Sequence, residues 1–193
     1  MTDNKHGQIV SGWLQGCTQL PSPNCGPRPA GGSVQLVVVH NISLPPGEFG
    51  GPHIEELFTN SLDPKAHAYF AEIADLRVSA HFLIRRDGEV IQFVPTNKNA
   101  WHAGESTWRG REKCNDFSIG IELEGTDTHV YTGAQYSALS KLIRACRQAH
   151  LEIEPDAIVG HSDVAPGRKT DPGPSFDWDR LSRELGVEEL PGT

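Results

Sequence analysis

The sequence predicts a single domain of mixed α/β class, in which helices flank a central mixed β-sheet. Two observations support this fold class. Runs rich in β-branched residues, such as VQLVVVH and FSIGIEL, alternate with stretches of helical periodicity. A length of 193 residues suffices to bury one sizeable core. We therefore expect residues 1–193 to form one domain. Residues 1–33, rich in Pro, Gly and Asn, should form an irregular N-terminal arm.

The first strand follows this arm. The run VQLVVVH over 34–40 is typical of a strand buried on both faces, and we expect it to end at His40. The loop NISLPPGEFGGPH comes next, and short helices are expected at 54–60 and 64–75. Asp63 is the expected N-cap of the second helix, because Pro64 suits the first helical position.

A β-hairpin is predicted for residues 80–95. Two β-rich runs flank the dipeptide Asp87–Gly88, which is typical of a type I′ turn. Further strands are expected at 117–123 and 157–160.

The clearest helix signal begins at Thr132. Thr132 and Gln135 have the spacing of a capping box, and the helix should run to about His150. Its core-facing stripe is Leu139, Leu142, Ile143 and Cys146. A final helix is expected near 177–185.

Charge and composition limit the classes of function. The net charge of −8, from 25 acidic and 17 basic residues, argues against a duplex nucleic acid partner. We expect no membrane partner, because no apolar stretch approaches the roughly 18–20 residues that span a bilayer. The first residues show no secretory signal, so a cytoplasmic location is expected. The sequence does not indicate an oligomeric state.

Four cysteines, Cys17, Cys25, Cys114 and Cys146, are interpreted as reduced thiols. Their spacing fits neither a CxxC redox pair nor a zinc ribbon.

Two histidines directly follow apolar strands. His40 ends LVVVH and His161 ends AIVGH, and loops at strand ends often carry catalytic groups. Asp171 lies ten residues after His161, in a segment whose prolines and glycines suit a loop that returns to the same place. Two imidazoles and a carboxylate form a familiar zinc ligand set that leaves a fourth position for water. Spacing alone also allows that the histidines merely end their strands.

Amide hydrolysis needs an acid/base group and a donor for the oxyanion. Glu122, within SIGIELEG, is one candidate base, and Glu124 shares its strand face by the two-residue period. Lys169 could bring an ammonium group close to the metal, in which case Arg168 should point elsewhere. An exposed loop lysine is the alternative interpretation.

Several long motifs match one enzyme family in order. They are VVVHNISLPPGEFGG, SAHFLIRRDG, AWHAG, CNDFSIGIELEGTD and GHSDVAPGRKTDPGP. Together they closely resemble the cytoplasmic 1,6-anhydro-N-acetylmuramyl-L-alanine amidases, from about Gly12 to about Leu185. The resemblance implies the fold of the type-2 amidases, which peptidoglycan-recognition proteins and T7-type lysozymes share. T7-type relatives carry a cysteine where Asp171 stands, so the aspartate favours the anhydro-muropeptide branch.

The resemblance also implies the roles of individual residues. It assigns one zinc ion to His40, His161 and Asp171, acid/base work to Glu122, and oxyanion stabilisation to Lys169. It implies hydrolysis of anhydro-muropeptides in peptidoglycan recycling, with an indirect influence on β-lactamase induction.

Substrate contacts are expected from four residues. The carboxylates of a muropeptide call for Arg or Lys, and the resemblance suggests Arg77 and Lys113. Relatives often have Arg where Lys113 stands, so a bidentate contact becomes a single one. Asn41 and Trp101 could meet the sugar and lactyl region, although ordinary core packing is the alternative for Trp101. His102 is interpreted as a structural hydrogen-bonding residue.

The sequence argues against three alternative functions. A non-catalytic muropeptide-binding module of the same fold is disfavoured by the complete set of candidate catalytic residues. A cysteine hydrolase built on Cys114 lacks a neighbouring cation that would clearly lower the thiol pKa. A periplasmic amidase would need an export signal.

Overall fold

A six-stranded mixed sheet forms the centre of the molecule. The computed structural model describes residues 7–188 and 190. The strands in chain order are β1 (Thr18–Gln19), β2 (Leu36–Ile42), β3 (Phe82–Ile84), β4 (Val90–Gln92), β5 (Ser118–Glu124) and β6 (Ile158–Gly160). Across the sheet the order is β6-β2-β5-β3-β4-β1, and β3 with β4 is the antiparallel pair. The predicted mixed sheet is confirmed.

Helices cover both faces of this sheet. They are α1 (His53–Phe58), α2 (Phe70–Ile73), α3 (Gly133–Ala149), α4 (His161–Val164) and α5 (Trp178–Leu185), with a 3₁₀ turn at Cys114–Asp116. One apolar cluster joins the sheet to α3 and α5, and a second joins it to α1 and α2. The helices therefore flank the sheet as the sequence predicted.

The register between β2 and β5 decides which side chains share a face. The two strands run parallel over seven residues, and His40 pairs with Glu122 while Val39 pairs with Ile121. Alternate side chains of a strand point to opposite faces. Ile121 thus belongs to the core beneath α3, whereas Glu122 and His40 lie together on the opposite face.

The capped helix was predicted with its cap. Thr132 Oγ1 accepts a hydrogen bond from the Gln135 N–H at 3.1 Å, and Gln135 Oε1 accepts one from the Thr132 N–H. Its predicted apolar stripe is buried in the main core. The expected first, fourth and final strands and the final helix also form, with ends shifted by one or two residues; β2 continues past His40 to Ile42.

The helix expected over 64–75 is mostly wrong, because only the single turn α2 is helical. Asp63 Oδ1 accepts from the Lys65 N–H at 2.9 Å, two residues on, which makes an Asx turn instead of a helix cap. Within α2 the buried side chains are Phe70 and Ile73. A segment with so little apolar surface gains little by extending the helix.

The hairpin is confirmed, but its predicted turn type is wrong. A type I′ turn needs positive φ at both central residues, and here Gly88 has φ +90° while Asp87 has no positive φ. The Gly88 N–H donates to the Arg85 carbonyl, and the Arg85 N–H donates to the Glu89 carbonyl. This is a three-residue loop that ends in a glycine bulge.

The N-terminal arm is less irregular than expected. Its first six residues lie outside the described residues. Further on, β1 extends the sheet, and the pairs Ile9–Val10 with Trp13–Leu14 and Cys25–Pro27 with Lys98–Ala100 are antiparallel ribbons. A third ribbon, outside the arm, joins Thr107–Trp108 to Arg111–Glu112. Strands of two or three residues are too short to show periodicity in the sequence.

In the part of the chain that the structure describes, no helix combines the length and apolar character that crossing a membrane requires.

The cap of α3 gives a test of local stability. Thr132 Oγ1 also donates to the Arg86 carbonyl at 2.7 Å, so Thr132→Ala removes two hydrogen bonds. We expect the free energy of unfolding to fall by about 1–2 kcal/mol in urea denaturation. The exposed Thr128 makes no cap, and Thr128→Ala should leave stability unchanged. Equal effects of the two substitutions would contradict this account.

Candidate metal centre

Three potential ligands converge near the carboxyl ends of β2 and β6. The His40 and His161 Nδ1 atoms lie 2.9 Å apart, and Asp171 Oδ2 lies 3.0 Å from each of them. Both histidines are buried, and Asp171 is largely so. Among the described residues this is a group whose geometry could hold a metal ion. The structure thus brings together the three ligands that the sequence proposed.

Each ligand comes from a different piece of backbone. His40 lies on β2, His161 begins α4 directly after β6, and Asp171 lies on the loop that follows α4. The loop closes because the Ser162 N–H donates to the Asp171 carbonyl at 3.0 Å. The Asn41 amide also donates to the Pro172 carbonyl at 3.1 Å, which ties this loop to β2.

The surroundings of His40 and Asp171 shift both of their pKa values downward. Desolvation lowers the pKa of His40 to about 4, against the opposing effect of Asp171. Burial by itself raises the pKa of Asp171, but the neighbouring His161 and His40 imidazoles outweigh it and hold this pKa well below its ordinary value. A neutral imidazole and an ionised carboxylate are the forms that bind a divalent metal.

Glu122, on β5, pairs with His40 on β2 and lies next to this group on the same face of the sheet. It is 8% exposed, and its buried Oε2 accepts no hydrogen bond from the described residues. Desolvation, followed by the negative charge of Asp171, raises its pKa well above the ordinary value, while Lys169 opposes this shift. A buried carboxyl with a free oxygen and a raised pKa is suited to proton transfer.

The competing carboxylate, Glu124, is occupied by structural contacts. Its Oε1 accepts from Arg85 Nη1 at 2.7 Å and from the Gly50 N–H at 2.6 Å, and its Oε2 accepts from the Arg86 N–H. Arg85 also pairs with Glu55 on α1. Glu124 therefore links the sheet to the loop after β2 and to α1.

The structure separates the two basic residues of the loop. Lys169 lines the same cleft as the three ligands and Glu122. Arg168 turns away, since its Nη2 donates to the Ala103 and Glu105 carbonyls at 2.6 and 2.5 Å.

Comparison with known proteins identifies the family. A model of the N-acetylmuramoyl-L-alanine amidase family matches residues 30–174, most of the chain. The chain belongs to this amidase family. It is therefore a hydrolase of amide bonds.

Individual relatives agree with this assignment. The chain is 62% identical over 173 residues to the 1,6-anhydro-N-acetylmuramyl-L-alanine amidase AmpD of Escherichia coli K12, a match that covers 90% of this chain and 94% of that protein. A crystal structure of a selenomethionine AmpD derivative superposes with a TM-score of 0.89 at 58% identity, covering 92% and 98% of the two chains. The E. coli amidase AmiD, solved with the substrate anhydro-N-acetylmuramic acid-L-Ala-D-gamma-Glu-L-Lys, gives a TM-score of 0.58 at 28% identity, covering 91% and 61%.

The four proposed substrate contacts occupy different places on the amidase. Trp101 and Asn41 line the cleft, and Trp101 is 38% exposed, which disfavours simple core packing. The Asn41 amide is already engaged by Asp127 and Pro172. Arg77 Nη1 donates to the Ala74 and Leu76 carbonyls, and its chain neighbours Leu76 and Val78 line the cleft. Lys113 directly precedes the 3₁₀ turn without a side-chain cap, and it is not part of the cleft lining.

The structure also shows the surroundings of His102 and Cys114, two residues that were considered from the sequence. His102 is a hydrogen-bonding residue, as expected, and one of its partners is the candidate ligand His40, at 2.9 Å. No local signal in the sequence indicated that contact. Cys114 is buried, and burial raises its thiol pKa, which is the opposite of what a cysteine nucleophile requires.

The two neighbouring carboxylates give opposite predictions for stability. Glu124→Gln breaks a buried ion pair and should lower the free energy of unfolding by about 3 kcal/mol. Glu122→Gln removes a charge that the folded state disfavours, so in chelator-treated protein it should raise the free energy of unfolding at neutral pH. Because the folded pKa of Glu122 is raised, wild-type stability falls as pH rises above the unfolded pKa, and the gain should vanish at low pH.

Urea denaturation of both variants between pH 4 and pH 7 provides the measurement. The assignment of Glu124 as the structural carboxylate and Glu122 as the free one fails if Glu122→Gln is the more destabilised variant.

Proposed function

We propose that this amidase uses one zinc ion to hydrolyse the bond between 1,6-anhydro-N-acetylmuramic acid and L-alanine in muropeptides. The main observation in support of this proposal is that three candidate ligand atoms converge beside Glu122, a buried carboxyl whose Oε2 accepts no hydrogen bond from the described residues. The name of the E. coli relative and the substrate seen in the AmiD complex support the choice of substrate. We further propose that the muropeptides are recycled wall fragments in the cytoplasm, whose turnover influences β-lactamase induction.

The chemistry of the donor set fits zinc. His161 Nε2 faces the Ala103 carbonyl at 3.1 Å, and a carbonyl can only accept, so the proton of His161 lies on Nε2. Its Nδ1 lone pair then points at Asp171 Oδ2 and His40 Nδ1. Lone-pair atoms at about 3 Å in a buried site repel one another unless a proton or a cation lies among them. Two imidazoles and one carboxylate are a common catalytic zinc set.

When bound, zinc supplies a Lewis acid with an open fourth position. The side chains of this chain supply the remaining requirements. Glu122, with its raised pKa, is placed to accept a proton from the attacking water and return it to the leaving amine. The Lys169 ammonium, at the same cleft, is placed to stabilise negative charge on the amide oxygen.

The cleft has the composition that an amphipathic substrate needs. It has a volume of about 390 Å³, and its lining includes both the polar candidate ligands and an apolar wall. This wall is Leu57, Phe58, Tyr69, Ile73, Leu76 and Val78. We propose that Trp101 and Asn41 contact the sugar and lactyl region, and that Arg77 and Lys113 meet stem carboxylates.

Metal removal tests the zinc proposal. Purified protein should hold one zinc per chain, chelation should abolish hydrolysis of anhydro-muropeptide, and added zinc should restore it. Glu122→Gln should keep zinc and lose roughly 10²–10⁴-fold in kcat, and Lys169→Ala roughly 10²–10³-fold. Metal analysis and chromatographic product identification on the same samples provide both readouts.

Two outcomes would contradict this proposal. Full activity in verified metal-free protein would exclude zinc dependence. Zinc binding without any turnover in the wild type would favour a muropeptide-binding module instead. Cys114→Ser is the matched control and should retain activity.

Substrate choice gives a second test. Nucleotide-linked wall precursors carry the same lactyl–alanine amide, but their sugar bears a charged diphosphate in place of the anhydro bridge. A wall such as Trp101 would leave that charge buried and unpaired, and such rejection gives large ratios. We expect kcat/KM for anhydro-muropeptide to be at least about 10²-fold higher, roughly 3 kcal/mol in transition-state binding. Equal rates on both substrates would leave only a general muramoyl-alanine amidase.

A further inference from the structure

One short segment, Trp101–Gly104, contacts the outer nitrogen of both candidate histidine ligands. His102 Nδ1 lies 2.9 Å from His40 Nε2, and the Ala103 carbonyl lies 3.1 Å from His161 Nε2. The two inner nitrogens are the ones that face Asp171. This segment is therefore placed to determine which nitrogen of each ligand carries the proton.

The hydrogen bonds fit one arrangement of protons when both Nδ1 atoms serve as ligands. His40 must then carry its proton on Nε2 and donate it to His102 Nδ1. His102, in turn, carries its own proton on Nε2, which lies 3.1 Å from Ser118 Oγ. A neutral imidazole has one donor and one acceptor nitrogen, so His102 serves as the acceptor for His40 only in this tautomer.

The fold holds His102 in this place from two sides. Asn115 Oδ1 accepts from the His102 and Ala103 N–H groups at 3.2 and 2.8 Å. The ring lies against Gly120 on β5, where a Cβ would come within 2.4 Å of His102 Cγ. Glycine at that position provides the space that the ring occupies.

We propose that His102 is a positioning residue that fixes the tautomer and the orientation of His40 for metal binding. This rests on the zinc site of the proposed function. Without the acceptor, the His40 proton can move to Nδ1, which removes the lone pair that a metal needs. Partners of this kind behind a ligand are typically worth 10–100-fold in metal affinity.

A pair of substitutions separates the hydrogen bond from the bulk of the ring. In His102→Asn, Oδ1 stands close to the position of Nδ1 and can still accept from His40. His102→Leu fills similar space without an acceptor. We expect zinc affinity, measured by competition with a chromophoric chelator, to fall 10–100-fold in His102→Leu and to stay within a few-fold of wild type in His102→Asn. His129→Leu, at an exposed histidine, is the control and should bind zinc as the wild type does.

The outcomes separate this inference from the zinc proposal itself. Wild-type protein that binds no zinc refutes the zinc site. Wild-type binding with unchanged affinity in His102→Leu refutes only the positioning role. Equal loss in His102→Leu and His102→Asn also refutes it, because the shape of the ring would then matter and the acceptor would not. Urea denaturation of the metal-free variants identifies any loss that arises from unfolding.

Discussion

The in-register parallel pairing of β2 and β5 is the constraint on which the candidate site depends. It places His40 directly beside Glu122, so that a candidate metal ligand and a candidate proton-transfer group share one face. The opposite face carries Val39 and Ile121 into the core. A slip of one residue would reverse both faces at once. The strand register that buries the apolar core is therefore also the register that assembles the candidate site.

The two buried carboxylates of β5 show how the fold divides structural from chemical roles. Buried charge is costly unless it is paired, and Glu124 is paired with Arg85 and with backbone N–H groups. That network also reaches Glu55 and so attaches α1, a wall of the cleft, to the sheet. Glu122 lies two residues earlier, and its Oε2 accepts no hydrogen bond from the residues that the structure describes. Unsatisfied groups of this kind are rare in native proteins and concentrate at functional sites.

The sequence was sufficient to predict the elements whose formation depends on hydrophobic periodicity and on local residue patterns. The long strands, the capped helix at Thr132 and the hairpin followed from such signals. The positions of His40 and His161 at strand ends indicated a site, and the family resemblance distinguished Glu122 from Glu124. The short ribbons of the arm, the single-turn α2 and the bulged turn at Gly88 could not be predicted, because few residues define them and tertiary contacts decide them. The contact between His102 and His40 joins residues 62 apart, and only the folded sheet shows it.

The position of each residue in the candidate ligand group is fixed by two separate contacts. His40 is fixed by β2 and by His102, and His161 by the start of α4 and by the Ala103 carbonyl. Asp171 lies on a loop, ten residues beyond His161. Its backbone carbonyl nevertheless accepts a hydrogen bond from the Ser162 N–H, next to His161. The next carbonyl, of Pro172, accepts from Asn41, the residue after His40. The loop that carries the carboxylate is thus anchored beside both histidines, which limits how far one ligand can move without the other two. Short, shared anchors of this kind let a candidate site built partly on a loop keep a fixed geometry.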